Sequence, residues 1–164
     1  MALVVLGMGN DLLGDDVFGL LAATELEGRL GPEVRVARSL RSGLYILEDL
    51  LGFDDAILVD SVIGDEPGRI RELSAVEIRP VQVPSAHYAG LPEALALARH
   101  SGLKVPDRVR IFAVEIDAAQ GIGAPPSAAV AGAVPGIVDL VERAAGEWGY
   151  GGRRRSETAV DAHA

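Results

Sequence analysis

The chain has 164 residues, which suits one domain with a substantial core, and its 49% hydrophobic residues exclude disorder over most of its length. Lysine and arginine total 15 against 24 acidic residues, and the net charge of -9 argues against nucleic acid as the main partner. Cysteine is absent, which excludes disulfides, thiolate metal sites and a cysteine nucleophile. Because there are only three histidines, a metal or acid–base site must consist of carboxylates and at most three imidazoles.

In the first part of the chain, apolar runs typical of buried strands alternate with helical patterns. Residues 2–6 are apolar at every position, as in a strand buried on both faces of a parallel sheet. A helical pattern starts at Asp15 or Asp16, and the Gly-Pro pair at 31–32 is expected to end it. The next predicted elements are a strand at 34–37, a short helix at 43–51 and a buried strand at 56–60 that ends in Asp60.

The second part of the chain continues this alternation. A weaker strand is predicted at 69–73, and apolar residues at 91, 94, 95 and 98 form one stripe on a helix of about three turns. Residues 109–114 are predicted as another strand, which Glu115 follows. A last apolar stripe over residues 130–141 predicts a final helix, which Pro135 should begin or kink.

Strands that alternate with helices indicate βαβ units. We therefore expect the α/β class, as a three-layer sandwich with a twisted, mostly parallel sheet and helices on both faces. Residues 1–148 are predicted to form a single domain, and residues 149–164, with three consecutive arginines, a disordered and solvated tail. No targeting segment is visible, and no stretch approaches the roughly 20 apolar residues of a membrane span, so we expect a soluble cytoplasmic protein.

Ligands of such sheets bind beyond the carboxyl ends of the strands, so the residues that follow each strand are candidate site residues. After the first strand, Gly7-x-Gly9 suggests dinucleotide binding, but Leu12 replaces the third glycine of that fingerprint. Asp15 and Asp16 at the start of the following helix would also repel a pyrophosphate. A nucleotide-binding regulator stays as an alternative, which ADP and divalent-metal titrations would separate from a metal site.

Three side chains stand out as candidates for chemistry. Asp15 and Asp16 are both explicable as helix caps, but only one acid can occupy a cap position. Asp60 ends a predicted buried strand, although an acid in a loop often only accepts backbone hydrogen bonds. His87 lies just before a predicted helix and is the histidine best placed for chemistry, because the other two fall on a helix surface and in the tail.

Two carboxylates and one imidazole form a mixed oxygen and nitrogen donor set. Such a set suits zinc, nickel, iron or manganese better than copper(I), and it leaves coordination positions for water or substrate. A Ser-His-Asp hydrolase that uses Ser61 or Ser85 is the competing chemistry. The chain has no Gly-x-Ser-x-Gly nucleophile elbow, which argues against it.

Four segments match, in order and spacing, the motifs of one known family. They are Gly7-x-Gly9-Asn10-x-Leu12-x-x-Asp15-Asp16-x-x-Gly19, residues 54–61, Ser85-Ala86-His87 with Gly90-Leu91-Pro92, and Glu115 with residues 121–135. Over roughly residues 2–145 the chain thereby resembles the hydrogenase maturation proteases. These endopeptidases trim the large subunit of nickel–iron hydrogenases.

The resemblance implies a site and a substrate. Asp16, Asp60 and His87 each match a metal-binding position of the family, so they are the expected metal-binding and catalytic residues. The implied substrate is a hydrogenase large-subunit precursor, already loaded with nickel, that loses its C-terminal extension. Nickel would then come from the substrate, and other divalent metals would fit the same site. The metal would polarise the carbonyl or activate water, or one carboxylate would act as general base.

Two positions depart from the family pattern. The family commonly has an Asp-Gly-Gly-Thr-type loop after the second strand, whereas residues 39–43 of this chain contain Arg41 and no acid. Val17 also stands where glycine or alanine is usual. These departures concern the choice of hydrogenase substrate more than the three ligands.

A non-catalytic nickel-binding chaperone or regulator of the same fold is the alternative function.

Overall fold

The computed structural model describes residues 1–41, 43–73 and 91–151. Of the helices in these ranges, none has the combination of length and apolar character that crossing a membrane requires. In chain order the elements are β1 (Leu3–Met8), a 3-10 helix (Gly14–Val17), α1 (Phe18–Leu26), β2 (Val34–Ser39), a second 3-10 helix (Gly43–Tyr45), α2 (Ile46–Leu50), β3 (Asp55–Ile63), β4 (Ile70–Leu73), α3 (Leu91–His100), β5 (Arg108–Ile116) and α4 (Ala128–Glu147).

The five strands form one sheet in the order β2-β1-β3-β5-β4. β1 pairs in parallel with β2 and with β3, and β3 pairs in parallel with β5. β4 is antiparallel to β5 and forms one edge of the sheet. Parallel neighbours need a crossover connection, which the helices provide. The predicted mostly parallel sheet is confirmed.

Each face of the sheet carries its own apolar core. Successive side chains of a strand point to opposite faces, so Leu3 and Val5 of β1 pack on one side while Val4 and Leu6 pack on the other. α1 and α4 cover the first face, and α2 and α3 cover the second. This double burial is the reason that residues 2–6 are apolar at every position. The predicted three-layer sandwich is confirmed.

β3 and β5 run further than the predicted strands. β3 (Asp55–Ile63) pairs residue for residue with β5 (Arg108–Ile116). Both strands continue past the level at which β1 ends, at Met8. Asp60 was predicted to end its strand and Glu115 to follow its strand, and both predictions are wrong because the two residues lie inside longer strands. The apolar pattern marks only the central part of each strand. The backbone ladder between β3 and β5 continues beyond that part and holds polar residues as well.

Two helices differ from their predicted bounds. α1 ends at Leu26, before the Gly-Pro pair at 31–32 that was expected to stop it. α4 begins at Ala128, after the N-cap residue Ser127, and Pro135 lies inside the helix rather than at its start. Proline removes one backbone donor. The apolar packing of α4 against the sheet and α1 keeps the helix continuous on both sides of the proline.

The packed domain extends past the predicted boundary at residue 148. Gly149 follows α4 with a φ of 88°, a left-handed conformation that glycine adopts without a Cβ penalty, and it turns the chain back towards the sheet. Tyr150 is then 1% exposed, and its hydroxyl donates to Asp55 at 2.5 Å. The prediction of a solvated tail is therefore wrong for its first residues. The rest of that predicted tail, from residue 152, lies outside the described residues.

Candidate active site

The strand order creates a place for a site between the carboxyl ends of β1 and β3. β1 continues into α1 on one face of the sheet, whereas β2 is connected to β3 through α2 on the other face. The two connections diverge here, and this is where open α/β sheets bind their ligands. Asp16 follows β1 and Asp60 lies on β3. The topology therefore brings two of the predicted site residues to one position.

Glycines allow the turn that carries Asp16 to approach the strand ends closely. A Cβ on Gly9 would lie 2.2 Å from the carbonyl oxygen of Asp16. A Cβ on Gly19 would lie 2.0 Å from the carbonyl oxygen of Met8 and 2.4 Å from that of Val59. No side chain fits at these distances. The glycines of the first motif therefore serve close packing of backbone against backbone.

Ser61 connects the two predicted carboxylates. Its hydroxyl donates to Oδ1 of Asp16 at 2.5 Å, and its backbone N–H donates to Oδ1 of Asp60 at 2.7 Å. Asp60 is fully buried, Ser61 is 4% exposed, and Asp16 is half-buried. The structure thus brings Asp16 and Asp60 together through a residue that the sequence suggested only as an alternative nucleophile.

Asp15 has a different task from Asp16. Its carboxylate accepts hydrogen bonds from the backbone N–H of Ser127 at 2.6 Å and from the Ser127 hydroxyl at 3.1 Å. Its own N–H donates to Oε1 of Gln120 at 2.7 Å. Asp15 thereby fastens the 3-10 helix before α1 to the N-terminus of α4. Neither Asp15 nor Asp16 caps the 3-10 helix or α1 with its side chain. Helix capping is therefore the wrong explanation for this pair of acids.

The surroundings of Asp16 differ from those of Glu115, the buried acid on β5. Glu115 accepts the backbone N–H of Glu66 at 3.0 Å and lies 3.7 Å from the Arg71 guanidinium. In the described ranges, no lysine or arginine forms an ion pair with Asp16, and the donor to its Oδ1 is a neutral hydroxyl. Such a carboxylate keeps its charge available for a cation.

The third predicted site residue, His87, lies outside the described residues, as does Ser85. Within residues 1–41, 43–73 and 91–151, no cluster of three or more acidic, histidine or cysteine side chains is placed to hold a metal ion. Asp16 and Asp60 supply oxygen donors only, so the predicted site needs its nitrogen donor from His87. The three-residue metal site stays a prediction.

Known proteins similar to this chain identify its family. No protein-family model matches the chain. The hydrogenase expression/formation protein HupD of Rhizobium leguminosarum bv. viciae is 27% identical, and the alignment covers 96% of this chain and 81% of that protein. A Methanocaldococcus jannaschii protein that carries the name hydrogenase maturation protease is 33% identical over 109 residues, which cover 63% of this chain and 71% of that protein.

A solved structure supports the same fold. The hydrogenase maturating endopeptidase HybD of Escherichia coli matches with a TM-score of 0.79 at 24% identity, over 96% of this chain and 100% of that chain. The predicted fold class is therefore confirmed, and the relatives confirm the predicted family and its enzyme class, an endopeptidase. The chain belongs to the hydrogenase maturation protease family.

Proposed function

We propose that this protein removes the C-terminal extension from a nickel-loaded hydrogenase large-subunit precursor, with Asp16, Asp60 and His87 engaging the nickel. Membership of the family supports the class of reaction. The observation that carries the site is the pair of carboxylates, Asp16 and Asp60, that Ser61 connects beyond the carboxyl end of β1 and beside it on β3. The cytoplasmic location expected from the sequence is part of the same proposal.

The donor set suits a nickel ion that the substrate carries. Carboxylate oxygen and imidazole nitrogen are ligands that nickel, zinc and other divalent ions of intermediate softness accept. His87 precedes Leu91, the first residue of α3, by four positions in the sequence. α3 packs on the face of the sheet to which Leu58 and Val62 point, and strand alternation assigns Asp60 to that same face.

Hydrolysis adds one water molecule across the scissile bond, with hydroxide going to the carbonyl carbon and a proton to the leaving nitrogen. A precursor whose nickel is held by this chain has its adjacent peptide fixed in place, which lowers the entropy lost on reaching the transition state. Asp16 and Asp60 also provide oxygens that accept the proton of the attacking water. Because the nickel belongs to the substrate, the same residues test whether nickel has been inserted.

The decisive experiment compares two forms of the precursor. We would incubate the protein with nickel-loaded and nickel-free precursor and follow the large subunit by gel mobility. We expect only the nickel-loaded form to lose its extension. Binding of the nickel-loaded form without cleavage would support the nickel-binding chaperone instead. Equal cleavage of both forms would contradict nickel recognition and leave an endopeptidase with another signal.

The assignment of His87 has a matched control in the same chain. His100 is exposed at the end of α3, so His100→Ala is expected to cleave the precursor at the wild-type rate. His87→Ala is expected to cleave about 10²–10⁴-fold more slowly, the usual cost of losing a group that acts in the reaction. A His87→Ala variant that cleaves at full rate would remove His87 from the site.

A further inference from the structure

We propose that Ser61 is a positioning residue, which orients the carboxylate of Asp16 for the substrate metal. This inference rests on the proposed function, because it assigns Asp16 to the nickel of the precursor. The sequence motifs that identify the family point to Asp16 and Asp60, and they leave Ser61 without a task. The hydrogen bonds of Ser61 supply one.

Ser61 reaches both carboxylates because of its place on β3. Asp60 and Ser61 are consecutive strand residues, so their side chains start out towards opposite faces of the sheet. The Ser61 hydroxyl therefore points to the side on which the turn before α1 lies, and it meets Oδ1 of Asp16 at 2.5 Å. Its backbone N–H meets Oδ1 of Asp60 at 2.7 Å. One residue thereby fixes an oxygen of each acid.

The hydroxyl holds one oxygen of Asp16 and leaves the other for the substrate. In the described part of the chain, no residue donates a hydrogen bond to Oδ2 of Asp16. A carboxylate pinned at Oδ1 has lost most of its side-chain freedom before the metal arrives, so less freedom is lost on binding. A neutral donor orients the acid without cancelling its charge, whereas an arginine in the same place would do both.

A buried tyrosine provides a control for the loss of such a bond. The Tyr150 hydroxyl donates to Oδ2 of Asp55 at 2.5 Å, and Tyr150 is 1% exposed, close to the 4% of Ser61. Tyr150→Phe and Ser61→Ala each remove one hydroxyl–aspartate hydrogen bond. A merely structural role for Ser61 predicts that the two variants behave alike.

The test measures cleavage of nickel-loaded precursor by Ser61→Ala, Ser61→Thr and Tyr150→Phe, together with urea unfolding of each variant. We expect Ser61→Ala to lower kcat about 10–100-fold, the usual effect of removing a residue that orients a metal ligand. We expect Tyr150→Phe to keep its kcat while it loses about as much unfolding free energy as Ser61→Ala. Ser61→Thr keeps the hydroxyl, so it should recover most of the lost kcat.

Two further measurements separate this proposal from the proposed function. If Asp16→Asn is inactive but Ser61→Ala cleaves with wild-type kcat, the positioning role is wrong and the site stands. If Asp16→Asn is fully active, the site itself is wrong. Crystal structures of wild type and Ser61→Ala test the orientation independently of catalysis. We expect the Asp16 side chain to leave its rotamer in the variant, and the same single rotamer in both crystals would overturn the proposal.

Discussion

Two buried aspartates lie on β3, Asp55 at its amino end and Asp60 in its second half, and their surroundings differ. Asp55, at the amino end, accepts two hydrogen bonds of 2.7 Å from Arg108 and one of 2.5 Å from the Tyr150 hydroxyl. Asp60, towards the carboxyl end, accepts the backbone N–H of Ser61. At the amino end a guanidinium neutralises the buried charge. Further along β3, Ser61 donates from neutral groups to Asp60 and to Asp16.

This difference separates a stabilising network from a candidate reactive one. The hydrogen bonds from Arg108, reinforced by the one from Tyr150, lower the pKa of Asp55 and occupy both of its oxygens. Arg108 also lies 4.7 Å from the ring centre of Trp148, at the end of α4. The Ser61 hydroxyl leaves the negative charge of Asp16 in place for a cation. We therefore expect substitutions at the amino end to change stability and those at the carboxyl end to change activity.

The largest effect is expected for Asp60→Asn. Asparagine keeps an oxygen that accepts the Ser61 N–H, but it removes the negative charge that attracts a metal. Cleavage of nickel-loaded precursor should fall about 10²–10⁴-fold. Circular dichroism and urea unfolding should show that the variant is folded. Wild-type cleavage by a folded Asp60→Asn protein would show that the charge of Asp60 is not needed for activity.

Gly19→Ala tests whether the carboxyl end depends on close backbone packing. The new Cβ would lie 2.0 Å from the Met8 carbonyl oxygen, a backbone atom that cannot rotate away. We expect a loss of about 3 kcal/mol or more in the free energy of unfolding, at the upper end of overpacking costs. Gly132→Ala is the matched control. Its Cβ meets nothing within 4 Å in an exposed part of α4, so it should gain about 0.5–1 kcal/mol. Equal stabilities in urea would contradict the packing argument.

Asp55→Asn tests the amino end. Removing the charge weakens the bonds to Arg108 and Tyr150, and we expect a loss of about 1–3 kcal/mol at pH 7. The pKa of Asp55 lies below its ordinary value of 3.8, so its contribution is present above that value and lost as the pH falls through the folded-state pKa.

Urea unfolding at several pH values should therefore show a gap between wild type and Asp55→Asn that narrows below about pH 4. Cleavage per folded molecule should stay at the wild-type level at pH 7. A gap that is constant with pH would show that the ion pair is not its source. A loss of cleavage in fully folded Asp55→Asn would contradict the expectation that Asp55 contributes to stability and not to activity.

Tyr150→Phe should have the smallest effect. It removes the hydroxyl donor to Asp55 and keeps the buried ring, so we expect a loss of about 1 kcal/mol in the free energy of unfolding. Burial, followed by the bond to Asp55, raises the pKa of Tyr150, so the hydroxyl is a neutral donor throughout the pH range of these experiments. Truncation after Trp148 should lower the free energy of unfolding by more, because it also removes the buried Tyr150 ring from the core. Equal stability of the truncated chain and wild type would restore the predicted boundary.

The fold was predictable because double burial leaves a plain trace in the sequence. β1 is covered by helices on both faces, so residues 2–6 are apolar without interruption, and helical patterns separate the strands. Asp60 was predictable as a candidate for a related reason. Parallel strands collect their functional residues at one edge, and an acid within or after an apolar run is easily noticed there.

Local pattern could not predict how the contacts of Asp15 and Asp16 differ, because the two residues are identical and adjacent. The family resemblance alone favoured Asp16 as the metal-binding residue. Asp15 meets Ser127, which is 112 positions away, and Asp16 meets Ser61, which is 45 positions away. The proline pair at 125–126 followed by serine was a signal for the start of α4. It did not indicate which of the two acids Ser127 would contact.

Local pattern thus determined the class of fold and the order of its elements, and it narrowed the site candidates to a few acids and one histidine, because burial and backbone preference act over short stretches of chain. Tertiary structure decided the strand lengths, the burial of Tyr150 and the hydrogen bonds of Ser61. The strand lengths depend on which strand lies beside which, and the bond from Ser61 to Asp16 depends on how closely Gly9 and Gly19 let the backbones approach. Such distances arise only when residues far apart in the chain are packed together.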